Sequence, residues 1–166
     1  MTSLVLYCKS YRTDLRRLVR LANSVRLFNQ DKISFYVSVP HSDLDLFKEH
    51  LEGMEITLFS DETIVKASPD LSIERIQAMP GHLSQQVIKS EFWRLGISDA
   101  YLCLDSDAIF IRPFNRSDFI TNDGTPYTVL DEAHDLLEEA LRQKRSRVVD
   151  SFFEEAEQVQ ELFGRQ

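Results

Sequence analysis

A short apolar run ending in two carboxylates constrains this chain more than any other feature. Tyr101-Leu102-Cys103-Leu104 is followed at once by Asp105-Ser106-Asp107, and Ala108-Ile109-Phe110-Ile111 then leads to Arg112-Pro113-Phe114. The first run has the length and composition of a buried strand. Residues i and i+2 of a strand point the same way, so Asp105 and Asp107 converge if extended backbone persists through Ser106. Two anions that close require a cation, and hard oxygen ligands suit Mg²⁺ or Mn²⁺. The competing reading of Asp-Ser-Asp is a solvated turn or a helix N-cap. Context favours the metal, because a helical segment leads into the strand and the acids stand at its carboxyl end, the edge at which open α/β sheets bind ligands.

The rest of the chain supplies the other strands of such a sheet. Ser3 to Cys8 is a compact apolar run, and from Asp14 onward Leu15, Leu18, Val19, Ala22, Val25 and Leu27 recur at helical spacing, with Arg16, Arg17 and Arg20 on a solvated face. Ile33 to Val39 reads as a strand ended by Pro40. Ser42 or Asp43 then caps a short helix through Leu51, with Gly53 beyond it, and Glu55 to Phe59 is the next strand. This β-α-β-α-β order predicts a mainly parallel sheet joined by right-handed crossovers.

Ser60 to Gly81, punctuated by Ser68-Pro69-Asp70 and Met79-Pro80-Gly81, reads as a long connection with a short strand or helix around Ile73 to Ile76. Ser84 is the expected N-cap of the following helix, with Leu83 and Ile88 as its hydrophobic staple and Gly96 near its end. In that helix Gln85 and Lys89 share a face one turn apart. After the acidic motif, Asn122-Asp123-Gly124-Thr125-Pro126 predicts a turn before a strand from Tyr127 to Leu130, and Glu132 to Lys144 and Val148 to Phe163 read as helices.

At 166 residues with 43% hydrophobic content, the chain suits one domain with a sizeable core: residues 1–111 as its ligand-binding part and 112–166 as a short, helix-rich part. A formal charge of -8 argues against a general nucleic-acid or membrane-surface binder, since phosphates reward surplus Lys and Arg. No stretch has the length of a transmembrane helix, and Met1-Thr2-Ser3-Leu4-Val5 lacks the features of a signal peptide, so a cytoplasmic location is expected. Cys8 and Cys103 each lie in an apolar run and read as reduced, buried small hydrophobes. The four histidines have no zinc-ligand spacing.

Gln85-Gln86-Val87-Ile88-Lys89, then Tyr101 to Asp107, then Ile111-Arg112-Pro113-Phe114, resembles a bacterial family of glycosyltransferase-like proteins with the GT-A fold. That family reads as a Gln-Gln-apolar-apolar-Lys helix, a strand ending in Asp-x-Asp, and an Arg-Pro-apolar exit. Ser10-Tyr11-Arg12-Thr13-Asp14 resembles the nucleotide-side loop of such enzymes. Ser90 departs from the pattern, which has an apolar residue there.

The resemblance implies a three-layer α/β sandwich with a mainly parallel central sheet. It also implies a nucleoside diphosphate sugar as donor, and Mn²⁺ or Mg²⁺ held by Asp107, with Asp105 sharing the metal or accepting a hydrogen bond from the ribose. Tyr11, Asp14, Gln86 and Lys89 become donor-binding residues, Asp14 having helix capping as its competing role. No catalytic base is identified, and the acceptor is unknown. Because the resemblance ends near Leu130, the acceptor-binding half is short, and the alternative is a non-catalytic donor-binding or regulatory remnant of the same fold. A nucleotidyl- or phosphoryl-transfer enzyme would need a Gly-rich phosphate loop, which the five glycines do not form.

Overall fold

The computed structural model describes the backbone of residues 2–127 and 134–163. The chain divides into two compact units, residues 1–127 and 128–166. In the first, strands β1 (Leu4–Lys9), β2 (Phe35–Val39), β3 (Ile56–Ser60) and β4 (Ala100–Leu104) form a parallel sheet in the order β3-β2-β1-β4. Helix α1 (Leu15–Phe28) joins β1 to β2, and α2 (Leu44–His50) joins β2 to β3. Helices α3 (Asp61–Ala67), α4 (Ile73–Ala78) and α5 (Gly81–Glu91) lead on to β4. The chain thus steps outward from β1 to β3 and then returns to add β4 on the other side of β1. Such a reversal of strand order marks where open parallel sheets bind ligands, outside the strands' carboxyl ends.

Two cores flank the sheet and make it the middle of three layers. Alternation along β1 sends Leu6 and Cys8 to one face, against Leu18, Leu21, Ala22 and Val25 of α1 and Phe47 of α2. Val5 and Tyr7 face the other way, against Ile64 and Val65 of α3, Ile88 of α5 and Phe92. Phe92 stacks on Tyr7 with ring centroids 3.9 Å apart and meets Tyr101 edge-on at 5.0 Å. A short 3₁₀ turn, Phe92–Leu95, follows α5 and stops at Gly96, whose φ of 62° is left-handed backbone that glycine adopts without a Cβ clash.

The four strands expected for the central sheet form, each within two residues of its predicted limits. The long connection is more ordered than expected: the segment around Ile73 to Ile76 takes the helical of its two expected forms, and Ser60 to Gly81 contains a further helix, α3. The two prolines explain the difference, since Pro69 and Pro80 directly follow the C-cap residues Ser68 and Met79 and so mark helix ends. Helix α5 begins at Gly81 with Pro80 at its N-cap, four residues before the expected cap. Ser84 lies inside the helix and donates its hydroxyl to the Gly81 carbonyl at 3.0 Å, and Leu83, 49% exposed, also lies inside the helix rather than at the staple position before its cap. Arg16, Arg17 and Arg20 are exposed as expected, but so is Leu27, on the last turn of α1. Cys8 is buried, whereas Cys103 is exposed because β4 is an edge strand.

In the second unit α6 (His134–Arg142) and α7 (Ser146–Phe163) pack on each other through a turn containing Lys144 at φ 52°. The strand expected from Tyr127 to Leu130 falls, beyond Tyr127, outside the described residues. Among the described residues no helix is long and apolar enough to cross a membrane.

Candidate functional site

The acidic motif stands at the reversal point, in a different backbone form from the expected one. Pairing of β4 with β1 ends at Cys8↔Leu104, and the Ala108 N–H donates to the Asp105 carbonyl at 3.0 Å, closing a turn over Ser106 and Asp107. Extended backbone therefore stops at Asp105. The physical reason is that the amides beyond Leu104 have no strand to pair with, so the chain satisfies them locally. Asp105 and Asp107 are both exposed, on either side of a buried Ser106. Convergence by strand alternation is lost, but both carboxylates remain at the sheet's carboxyl edge.

Ser106 ties this turn to the end of the neighbouring strand. Its hydroxyl donates to Asp14 Oδ2 at 3.1 Å, across 92 residues of sequence, and Arg17 donates to Asp14 Oδ1 at 3.0 Å. Asp14 occupies the N-cap position of α1, yet its side chain makes no capping bond, being committed to Ser106 and Arg17 instead. The loop that precedes Asp14 is also pinned from the turn that follows β2. Buried Asp43 accepts from the Arg12 backbone N–H at 2.8 Å and from its guanidinium Nε at 3.1 Å and NH2 at 3.0 Å. Such a forked, charge-assisted contact fixes the loop that carries Tyr11.

Lys89 reaches the same edge from α5. Its ammonium forms an ion pair with Asp105 Oδ1, and its backbone carbonyl accepts from the Tyr101 hydroxyl at 3.0 Å, which holds α5 against β4. The Lys89 side chain is 12% exposed and that of Asp105 72%, so a sheltered stem delivers its charge to an open carboxylate. Burial by itself lowers the lysine's pKa, but its hydrogen bond to Asp105 and neighbouring negative charge outweigh it and the net shift is upward. Lys89 is therefore a cation at neutral pH. One turn earlier, Gln85 and Gln86 line a cleft of about 530 Å³ together with Lys9, Tyr11, Pro40 and His82.

A second charged group closes the other end of this edge. Lys9, the last residue of β1, donates to the Ser10 carbonyl at 2.9 Å and pairs with Asp61 Oδ2 at 3.1 Å; both residues are buried. Ser38 of β2 donates to Asp61 Oδ1 at 2.7 Å and shares a 2.9 Å hydrogen bond with the Tyr7 hydroxyl. Burial raises the Asp61 carboxyl, with Lys9 and Ser38 opposing that rise, and burial likewise raises Tyr7. The Ser10 hydroxyl, fully buried beside them, has no partner among the described residues.

Of the residues singled out from sequence, Lys89 and Asp105 are in contact, Tyr11 and Gln86 line one cleft, Asp14 binds the turn through Ser106, and Asp107 stands exposed beyond it. Lys9, Asp43, Asp61 and Ser106 were not foreseen. Their common signal is position, since Lys9, Asp61 and Ser106 fall at or within two residues of a strand's carboxyl end. Among the described residues no group of three or more His, Cys, Asp or Glu side chains clusters as a metal site.

Fold and site together define an α/β protein with a parallel sheet and a charge-lined cleft outside the carboxyl ends of its strands. The chain belongs to DUF6492, a family of unknown function, which it matches over residues 2–159. No curated protein and no solved structure matches it.

Proposed function

We propose that the carboxyl-edge cleft binds a nucleoside diphosphate sugar together with Mn²⁺ or Mg²⁺ on a GT-A-like sheet, as the donor half of glycosyl transfer to an acceptor. The observation that carries the reading is the meeting of Lys89 with Asp105 at the reversal of strand order, beside the cleft lined by Tyr11 and Gln86. A buried-stem ammonium, two exposed carboxylates and a polar cleft are the complement of a diphosphate accompanied by a divalent ion.

The donor set fits such an ion. Mg²⁺ keeps several waters and is commonly held by one or two carboxylates plus substrate phosphates, so Asp105 and Asp107 would hold it together with the phosphates of the donor. Held there, such an ion would supply Lewis-acid stabilisation of the diphosphate leaving group. The chain's own groups do the rest: Lys89 gives charge-assisted hydrogen bonds to diphosphate oxygens, the Gln86 amide hydrogen-bonds the donor, and the Asp14–Ser106 contact holds the turn bearing both acids.

The test is calorimetric titration with UDP-, GDP-, ADP- and CDP-sugars, with Mn²⁺ and with EDTA. One donor class is expected to bind, and to lose affinity when the metal is removed. Asp107→Asn should weaken that binding by about tenfold or more and leave the melting temperature unchanged, since the residue is exposed and the amide keeps its shape. Equal donor affinity for wild type and variant at saturating Mn²⁺ would overturn the assignment.

A further inference from the structure

Beside the cleft of Tyr11 and Gln86 lies a smaller one of about 310 Å³, and the two share Lys9, Pro40, Gly81 and Ser84 as lining residues. They are contiguous parts of one trough along the carboxyl edge. The smaller part differs in chemistry. Val65, Ile73, Ile76 and Met79 give it an apolar side, Glu62 and Gln77 also line it, and so does the Lys9–Asp61 pair. An ion pair this buried is costly to desolvate, and replacing such pairs by apolar residues is often neutral or stabilising, so the fold alone gives little reason for it.

The pair offers a cleft ligand a carboxylate acceptor and an ammonium donor side by side, 3.1 Å apart. Lys9 gives donors to Asp61 and the Ser10 carbonyl, and its ammonium lies over the Tyr11 ring, 5.5 Å from the centroid, on the side of the adjoining cleft. Asp61 is held in place by Ser38, itself fixed in register opposite Lys9. A flat heteroaromatic ring whose edge carries an N–H donor next to an acceptor matches both the apolar walls and this donor–acceptor pair. The far end of the trough, at Gln85 and Gln86, is one helical turn from Lys89 and its partner Asp105.

From these observations we infer that the Lys9–Asp61 pair and the apolar cleft of Val65, Ile73, Ile76 and Met79 form a nucleobase subsite, so that a bound nucleotide lies with its base toward β3 and its phosphates toward β4. The inference rests on the donor-binding reading above and adds to it the residues that read the base and the direction in which the ligand lies. Neither Lys9 nor Asp61 belongs to the acidic motif or to the Gln-Gln-x-x-Lys helix.

The experiment compares UDP, CDP, ADP and GDP with inorganic pyrophosphate, all with Mg²⁺, by calorimetry on the full chain. At least one nucleoside diphosphate is expected to bind about tenfold or more tightly than pyrophosphate, the difference being the base and ribose contribution. Asp61→Asn and Met79→Trp should each remove most of that difference while leaving pyrophosphate affinity unchanged. Met79 is half-buried at the end of α4, so the tryptophan fills the cleft from a surface turn, and this variant decides the matter if Asp61→Asn fails to fold. A nucleoside–pyrophosphate difference that survives in Met79→Trp overturns the base subsite and leaves the donor-binding reading intact. Pyrophosphate binding as tight as every nucleotide also overturns the base subsite alone. Absence of binding by all five probes overturns both.

Discussion

Replacing Lys89 by Met separates a ligand-binding charge from a structural one. The side chain is 12% exposed and its partner Asp105 is 72% exposed. Methionine keeps the sheltered apolar stem, and the carboxylate left behind is already solvated, so the lost pair is worth what surface pairs are worth, about 0–1 kcal/mol. For a domain of this size that is a fall in melting temperature of at most about 5 °C. The cost to ligand binding is larger. A charge-assisted contact with a diphosphate contributes about 1.5–3 kcal/mol, or roughly a 10- to 150-fold loss of affinity. The assay is calorimetry with the bound donor, beside a thermal melt of the free protein. A second arm in an Asp105→Asn background distinguishes direct contact from action through the partner: independent contacts give losses that add, whereas a lysine that only positions Asp105 adds nothing once the carboxylate is gone. A melting temperature lowered by 10 °C with less than a threefold change in donor affinity would refute the reasoning and make Lys89 a structural residue.

Two further expectations concern the scaffold behind the site. Phe92→Ala removes a fully buried ring stacked on Tyr7 and should destabilise the protein by about 3–5 kcal/mol in urea unfolding; a loss below 1 kcal/mol would mean that this face of the sheet is not packed as described. The two cysteines should differ in native alkylation: Cys103 is exposed and reacts, while Cys8, its thiol pushed up to about 12 by burial, reacts only after unfolding. Mass spectrometry of the alkylated native protein checks this, and label on Cys8 would contradict its place in the core.

The strands were legible because a central parallel strand is covered on both faces, so that Leu4 to Cys8 and Phe35 to Val39 read as near-continuous apolar runs closed by polar or turn residues. Helix α1, with 14 residues, displays its period four times over and was equally plain. Helices α3 and α4 have seven and six residues, fewer than two turns each, which is too short for a 3.6-residue period to rise above chance. There the informative residues were Pro69 and Pro80, whose meaning as stops depends on having already seen a helix to end. Asp105 and Asp107 were visible as acids at the end of an apolar run, but the turn over Ser106 was not, because it follows from where β1 stops offering a partner, and that is a property of the register rather than of the local residues.

The same argument explains why Lys89 and Asp105 could be assigned to one site while Lys9 and Asp61 could not. Lys89 and Asp105 are 16 residues apart, on consecutive elements, and a resemblance spanning both segments supplied the link. Lys9 and Asp61 come from β1 and from the residue after β3, strands that are not neighbours in the sheet. Their contact exists because β2 lies between them with Lys9 in register with Ser38 and Ser60 in register with Val39, which puts Ser38 level with Lys9 and Asp61 two residues beyond that level on the same edge. A shift of one residue in either pairing would turn Ser38 to the opposite face and leave Asp61 buried without its hydroxyl donor. Both carboxylate oxygens would then depend on Lys9 alone, at a site where burial already raises the carboxyl. The buried pair therefore tests the register as well as the ligand. Ser38→Ala should leave β2 in place, since alanine fits the strand, yet it should raise the Asp61 pKa further, a change readable by carboxylate NMR; an unchanged titration would mean that Ser38 does not support Asp61 and that this register is wrong.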